Sequence, residues 1–400
     1  MAARPWEPEV FAPYPDWPDV VFARVAAHSP QFDPVCAAGD RPVVIGSAAG
    51  HRKDRVVASA RGELLERVGN ILAGRAAEAG GAIVASHDEL RRKGVPALDP
   101  AELARDERDG PPDAARGARR LWVLGHVVPG GTPMHVPAGA VFLHHRPPPG
   151  CDPRPGAGST GVASHPDLRA AAEHAAWEVL ERDLIRRSWY GLSPAPALLR
   201  SPALPRPLAE LLDGLGLEVT VLDVPAPEGS RCVAVCLHAP DRTRQSFGAR
   251  CGPAGDIGPL VERAAYEALM VRWSMHSPVG RDTWARWQGR SAPDSAVRHA
   301  LWAYHRQDSL RAWTDAGTGT AAVRCAGRAV PPVVAPARSG QEALSAHTGA
   351  QVIVVETTPA PIRELGTNVV RVVAPSASPL PTRPDDERGP PAARGPHPFG

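Results

Sequence analysis

Residues 62–68 read GELLERV and residues 177–183 read WEVLERD, two near-copies of Glu-x-Leu-Glu-Arg more than a hundred residues apart. Positions three or four apart lie on one face of an α-helix. Glu63 and Glu66 therefore share a face, with Ser59 one turn earlier, giving Ser-x-x-x-Glu-x-x-Glu-Arg. Glu178 and Glu181 share a face with His174, and Arg182 follows directly. A third helical stretch places Arg263 and Glu267 four apart. Glu, Leu and Arg also build ordinary surface helices, so either copy alone says little. Three helices that each display carboxylate or arginine on one stripe say more.

The flanking sequence mixes strand and helix patterns. A strand, RPVVIGSA (41–48), leads into a helical pattern from about Asp54 to Ala79, and AIVAS (82–86) returns as a strand. Residues 91–118 are polar and read as a loop or exposed insertion. RLWVLGHVV (120–128) and GAVFLHH (139–145) are strand-like around the turn signal PGGTP, and a Pro/Gly-rich loop then delivers Ser159 to a second helix at about 166–190. LEVTVLDV (217–224) and RCVAVCLH (231–238) read as strands, and a third helix runs from about Gly258 to Met275. Five of the ten tryptophans fall between Trp273 and Trp313, a segment read as helical packing surface because no basic stripe accompanies it. AQVIVVE (350–356) and NVVRVVA (368–374) are closing strands around a short helix, and VVFARVAAH (20–28) reads as a short helix near the start. The expectation is a mixed α/β (α+β) domain at 42–375, an extension at 1–41 and a Pro-rich tail at 376–400 without regular structure.

Composition narrows the function classes. The chain has 400 residues, 43% hydrophobic and 22% charged, with a formal charge of +2. That balance points to no nucleic-acid or membrane-surface partner. No apolar run reaches a membrane span and no secretory h-region opens the chain, so a cytoplasmic protein is expected. The six cysteines are scattered without a Cys-x-x-Cys pair; Cys232 and Cys236 share one face of a strand pattern. Lys53 and Lys93 are the only lysines, so a phosphate-binding lysine has only two candidates.

Paired carboxylates from several helices converging on one pocket repel unless cations sit between them. Magnesium, which takes carboxylates together with phosphate oxygens and water, is the natural occupant, and neighbouring arginines would cover the remaining phosphate oxygens. The constellation fits a nucleoside triphosphate held without a P-loop, since no Gly-x-x-x-x-Gly-Lys-Ser/Thr is present. A four-helix di-metal oxygenase is disfavoured, because that needs Glu-x-x-His repeats and an all-helical bundle.

SARGELLERV (59–68), GSTGVASHPDLRAAAEHAAWEVLERD (158–183) and FGARCGPAGDIGPLVERAAYEALMVRW (247–273), in that order, resemble the three ATP-site segments of the YcaO family. GTNVVRVVAPSASPL (366–380) and the terminal PHPFG (396–400) resemble that family's C-terminal strand and Pro-rich tail. The resemblance implies a domain whose long helices line an ATP and Mg2+ cleft, and an enzyme that phosphorylates backbone amide oxygens of a peptide. By resemblance Glu63, Glu66, Glu178, Glu181 and Glu267 are the Mg2+ acids. Ser59, His174, Arg182 and Arg263 are nucleotide contacts by the same resemblance, Arg263 toward the phosphates. His174, Pro398 and Gly400 are then the candidates for a catalytic part. Three positions depart from the family pattern: Ala49 in place of a lysine, Met270 in place of a glutamine, and a terminus at Gly400 where azoline-forming members end in Pro-x-Pro-x-Pro.

The chemistry stands without the name. A Cys, Ser or Thr side chain adds to the preceding carbonyl, and phosphorylating the resulting oxygen lets it leave as phosphate, closing a thiazoline or oxazoline. The protein supplies positioning and charge neutralisation. Alternatives are thioamide or macroamidine formation on the same fold, or a catalytically silent scaffold. Expected partners are a ribosomally made precursor peptide, a separate leader-binding protein of activating-enzyme-like or peptide-clamp type, and an azoline dehydrogenase. A homodimer is compatible with the sequence.

Overall fold

The computed structural model describes residues 6–29, 43–80, 82–103, 111–152, 158–306, 308–315, 338–382 and 395–400. In chain order the elements are β1 (Glu9–Phe11), β2 (Val21–His28), β3 (Val43–Gly50), α1 (Lys53–Ala79), β4 (Ile83–Ala85), α2 (His87–Arg92), α3 (Pro112–Gly117), β5 (Arg120–Val128), β6 (Thr132–Pro137), α4 (Ala138–Val141), β7 (Val162–His165) and α5 (Leu168–Trp189). There follow β8 (Ala197–Leu199), α6 (Arg206–Gly214), β9 (Glu218–Val224), β10 (Ser230–His238), β11 (Ser246–Pro253), α7 (Gly258–His276), α8 (Pro278–Trp287), α9 (Ala296–His305) and α10 (Ser309–Thr314). The last are α11 (Gly340–Thr348), β12 (Val352–Glu356), α12 (Ala360–Arg363) and β13 (Asn368–Val373). The architecture is the expected mixture of α and β.

The strands form three antiparallel sheets. One has the order β1-β2-β3, the second β11-β10-β9-β8, and the third β4-β5-β12-β13-β7, with β6 also on β5. Strands β3, β11 and β7 are each the last strand of their sheet. An edge strand presents unpaired N–H and C=O groups that the rest of the fold must satisfy. The three long helices do this, and in doing so they build the site.

Helix α1 buries Val56, Ala60, Leu64, Val68 and Ile71 at three- and four-residue spacing against the first sheet. Helix α5 starts at Asp167, whose side chain accepts from Ala170 N at 2.8 Å and caps the first turn. It runs between the second and third sheets, packing Leu180 and Ile185 against Val370 and Val372 of β13 and against Ala234 and Phe247 of β10 and β11. Helix α7 covers the opposite face of the second sheet with Val261, Ala264, Ala268 and Leu269. Two glycines set how closely helix and edge strand meet. A β-carbon at Gly46 would lie 2.2 Å from Ala60 O and 2.5 Å from Leu64 N, and one at Gly248 would lie 2.2 Å from Ala264 O and 2.7 Å from Ala268 N. Strands β3 and β11 thus rest directly on helix backbone in the same way.

Some readings need correcting. VVFARVAAH is not helical: Val21–His28 is β2, paired with β3 along its whole length. The first 41 residues accordingly supply two of the three strands of the first sheet. GAVFLHH is not a strand; Ala138–Val141 is a short helix followed by buried Phe142 and Leu143. The polar stretch 91–118 includes the helix Pro112–Gly117 and buried Leu98, while 104–110 lie outside the described residues. Strand β11 was not read at all. The described parts of 376–400 have neither helix nor strand, as expected, yet they are docked: Ser378 N donates to Asp183 at 2.8 Å and Arg186 donates to Pro379 O at 2.8 Å.

Candidate active site

Each of the five glutamates singled out in the sequence accepts a hydrogen bond from a backbone N–H of, or beside, an edge strand. On β3, Ser47 N donates to Glu63 Oε2 at 2.5 Å. On β7, Ser164 N donates to Glu66 Oε1 at 3.1 Å, and just before it Gly161 N donates to Glu178 Oε2 at 2.9 Å. On β11, Ala249 N donates to Glu267 Oε2 at 3.1 Å and Cys251 N to Glu181 Oε2 at 3.0 Å. One oxygen of every carboxylate is tethered to a sheet edge, which fixes the rotamer.

The second oxygens of Glu63, Glu181 and Glu267 face arginines. Glu63 Oε1 takes a 2.6 Å bond from Arg67, whose other nitrogen donates to Ile45 O of the same edge strand. Glu181, only 3% exposed, has Oε1 buried without a hydrogen-bond partner; Arg182 Nε stands 3.5 Å away and Arg250 Nη1 4.0 Å. Glu267 Oε2, the tethered oxygen, also takes a 2.8 Å bond from Arg250, and its Oε1 lies 3.6 Å from Arg182. Burial pushes the Glu181 carboxyl up to about 7, against the pull of Arg182 and Arg250. Burial, then the charges of Glu178 and Glu63, raise Glu66 well above the ordinary carboxylate range. These two acids are held in a place that favours protonation unless positive charge arrives.

His174 stands one turn before Glu178 on α5 with part of its ring in solvent. The cleft walls still crowd it enough that burial, with Arg250 and Arg263, lowers its pKa. Ser59 and Arg263 are exposed on the first halves of α1 and α7. Arg263 is not paired with Glu267 among the described residues; Arg250 and Arg182 hold that carboxylate instead. Two residues of the site were not singled out in the sequence. Arg250 projects from unread β11. Arg371, on β13, is buried, donates from Nη1 to Gly158 O at 2.6 Å and leaves Nε unbonded. Burial lowers its pKa to about 10, and Glu178 is the charge that opposes this.

The C-terminal pentapeptide is inside the protein. Trp189 Nε1 donates to Gly395 O at 3.0 Å, just before it. His397 stacks on His299 of α9 with ring centres 3.9 Å apart, and donates from Nε2 to Pro381 O at 2.6 Å. Phe399 packs against Phe247 and Trp313, each with ring centres 5.7 Å away. Pro398 is buried and Gly400 is exposed beside Ala300 and Ala296. The tail sits close enough to the acids for the Arg182 charge to bear on His397, but the Gly400 carboxylate bonds none of the five glutamates among the described residues.

The donor set fits magnesium with a polyphosphate. Among the described residues no three His, Cys, Asp or Glu side chains close round a single ion on their own. Mg2+ needs no such cage, since it takes one or two carboxylates and completes its shell with phosphate oxygens and water. Glu181 Oε1, which accepts no hydrogen bond, and the raised Glu66 sit where added positive charge is favoured, and Arg182 and Arg250, paired with Glu181 and Glu267, stand with the exposed Arg263 as cations beside them. Fold and site together define a nucleotide- and metal-binding protein without a P-loop. The sequence model of the YcaO family, described as YcaO cyclodehydratase, ATP- and Mg2+-binding, matches residues 48–378, and the chain belongs to that family.

The fold is similar to solved structures of low sequence identity. YcaO from Methanopyrus kandleri bound with AMPPCP and Mg2+ superposes with a TM-score of 0.55 at 19% identity, over 94% of this chain and 88% of that one. A chain of the E. coli microcin synthetase McbBCD complex with pro-MccB17 bound gives 0.60 at 15% identity, over 94% and 89%. A heterocyclase in complex with substrate and cofactor gives 0.61 at 16% identity, over 90% of this chain but 48% of that one, so the chain spans about half its length. A search of curated protein sequences found no match.

Proposed function

We propose that the chain is an ATP-dependent cyclodehydratase that converts Cys, Ser or Thr of a ribosomal precursor peptide to thiazoline or oxazoline, together with a separate leader-binding partner. The observation that carries this reading is the tethering of five carboxylates at three sheet edges, each by one oxygen. Glu63, Glu66, Glu178, Glu181 and Glu267 would hold Mg2+, and Arg182, Arg250 and Arg263 would hold the phosphates. Bound MgATP supplies the phosphoryl group that turns the amide oxygen into a leaving group. The protein orients the phosphate chain with bidentate arginines, neutralises its charge, and keeps the acids in one rotamer so that no reorganisation is needed during transfer. His174, beside Glu178 and neutral near pH 7, is placed to accept a proton at its imidazole. The docked PHPFG tail, similar to the ending of azoline-forming members, favours ring closure over thioamide or macroamidine formation. A silent scaffold would have no use for five tethered acids.

The test supplies precursor peptide, partner, ATP and Mg2+ to the purified chain and follows the peptide by mass spectrometry. Loss of one water per ring, with matching ADP and phosphate, is expected. ATP-independent modification, or none with ATP turnover absent, would overturn the assignment.

A further inference from the structure

At the C-terminal end of α7 lies a cavity of about 490 Å3, lined by none of the five glutamates, that the proposed chemistry does not use. It is lined by Met275 and His276 at the end of α7, Arg281 and Trp284 of α8, Tyr304 and His305 of α9, and Arg244 from the turn before β11. Its walls are apolar and aromatic: Tyr304 OH is bonded to His276 Nε2 at 2.8 Å, and Trp284 stacks on His305 with ring centres 4.2 Å apart. The polar groups of the walls are thereby satisfied, leaving carbon surface.

The mouth is cationic. Arg244 and Arg281 are exposed, and among the described residues neither has a carboxylate partner. Arg244 is a charge that bears on both His305 and Tyr304, and Arg272 bears on Tyr304 as well. Arg244 is also deliberately placed. Its backbone is left-handed at φ 55°, as is Arg242 at 63°, a conformation non-glycine residues adopt only when held. Buried Arg272 donates to Arg244 O at 2.6 Å, and buried Gln245 donates to Arg242 O at 2.8 Å and to Asp308 at 2.7 Å. Two buried side chains thus fix the turn that hangs Arg244 over the cavity. Along α9, Tyr304 is one turn beyond Ala300, the residue beside Gly400.

We propose that this cavity binds an acidic segment of the peptide substrate, with one apolar or aromatic side chain in the cavity and carboxylates on Arg244 and Arg281. The occupant follows from the walls: carbon surface selects an apolar side chain, and a mouth with two guanidiniums that meet no carboxylate among the described residues selects negative charge beside it. This rests on the reading of the chain as a peptide-modifying enzyme, but its test does not need turnover.

The probe is a fluorescein-labelled heptapeptide, Glu-Asp-Leu-Phe-Glu-Asp-Glu, titrated with the full chain and followed by anisotropy. Binding is expected, with loss when Leu and Phe become Ser or the acids become Lys. The doubly charge-reversed variant, Arg244→Glu with Arg281→Glu, should bind at least about tenfold more weakly and with a shallower salt dependence. Its far-UV spectrum and MgATP affinity should be unchanged. Trp284→Phe should remove most of the tryptophan fluorescence change that accompanies binding. Equal binding of acidic and basic peptides, no binding, or equal binding by the variant would overturn the proposal, as would displacement of the probe by MgATP, which would make the cavity a nucleotide site. Normal ring formation without peptide binding here would sink this site alone; peptide binding without ring formation would sink the enzymatic reading alone.

Discussion

Lowering the pH should release the C-terminal pentapeptide. In the docked tail His397 is 2% exposed and stacks on His299, 1% exposed. Burial, then the His299 ring and the Arg182 and Arg186 charges of α5, hold the His397 imidazole well below its ordinary pKa; Pro381 O opposes them. Burial lowers His299 too, against its bonds to the tail and the charge of Asp294. An undocked His397 titrates near its free value of about 6.5. The released state therefore binds more protons below that pH, and docking is fully present above about pH 6.5 and weakens as pH falls beneath it. The slope is about tenfold per pH unit for one histidine, about 1.4 kcal/mol, and steeper where His299 is released with it. Against this stands the burial of Phe399, worth about 2–3 kcal/mol. About two units below pH 6.5, or about one where both histidines are released, should therefore offset the Phe399 contribution. The assay is amide-exchange protection at His397 and Phe399, referenced to intrinsic exchange at each pH, between pH 8 and 5. His397→Phe keeps a flat ring on His299 and should remove the His397 part of the pH response, leaving at most the share of His299. Protection that is equal across the range, or an undiminished response in His397→Phe, would refute the reasoning.

Glu63→Gln or Glu181→Gln should abolish ATP-dependent modification with the fold retained, since a neutral amide can still accept the tethering N–H but binds magnesium poorly. Because the Glu181 pKa is raised to about 7, its ionisation removes stability as pH rises from about 4.5 to 7; thermal melts of Glu181→Gln should lack that part of the decline. Arg263→Lys should weaken MgATP binding by calorimetry, as an ammonium cannot reproduce the guanidinium fork; unchanged affinity would make Arg263 a surface residue. Gly46→Ala should cost about 1–3 kcal/mol in denaturant unfolding, because its methyl meets the backbone of α1. Deleting residues 396–400 should slow peptide modification far more than it lowers the melting temperature; equal rates would reduce the tail to a passive plug.

The long helices were legible because their acids and buried residues keep strict helical spacing, and β10 and β13 because they are short apolar runs. Strand β11 escaped because it carries Gly248 and Arg250 where a strand pattern wants bulk, and both departures have causes outside the strand: Gly248 makes room for α7, and Arg250 serves Glu267. Residues 21–28 are rich in alanine and local propensity favours a helix, but pairing with β3 overrides it. That Glu63 and Glu66, and Glu178 and Glu181, share a helix face was readable from spacing, and their grouping with Glu267 was expected from the family resemblance; their tethering was not legible, because the partners are backbone amides that carry no side-chain signature. Arg371 was hidden for a related reason, inside a strand quoted only for its apolar residues.

Strand β11 joins two parts of the molecule that sequence order keeps apart. Phe247 carries the terminal Phe399, while the amides of Ala249 and Cys251 hold Glu267 and Glu181. A shift of that strand by a fraction of an ångström would move the tail's seat and two of the acids together. The tail and the acid cluster are therefore not free to drift independently over evolutionary time: a substitution that resettles Phe247 is felt at the carboxylates, and compensation for it can come from either end.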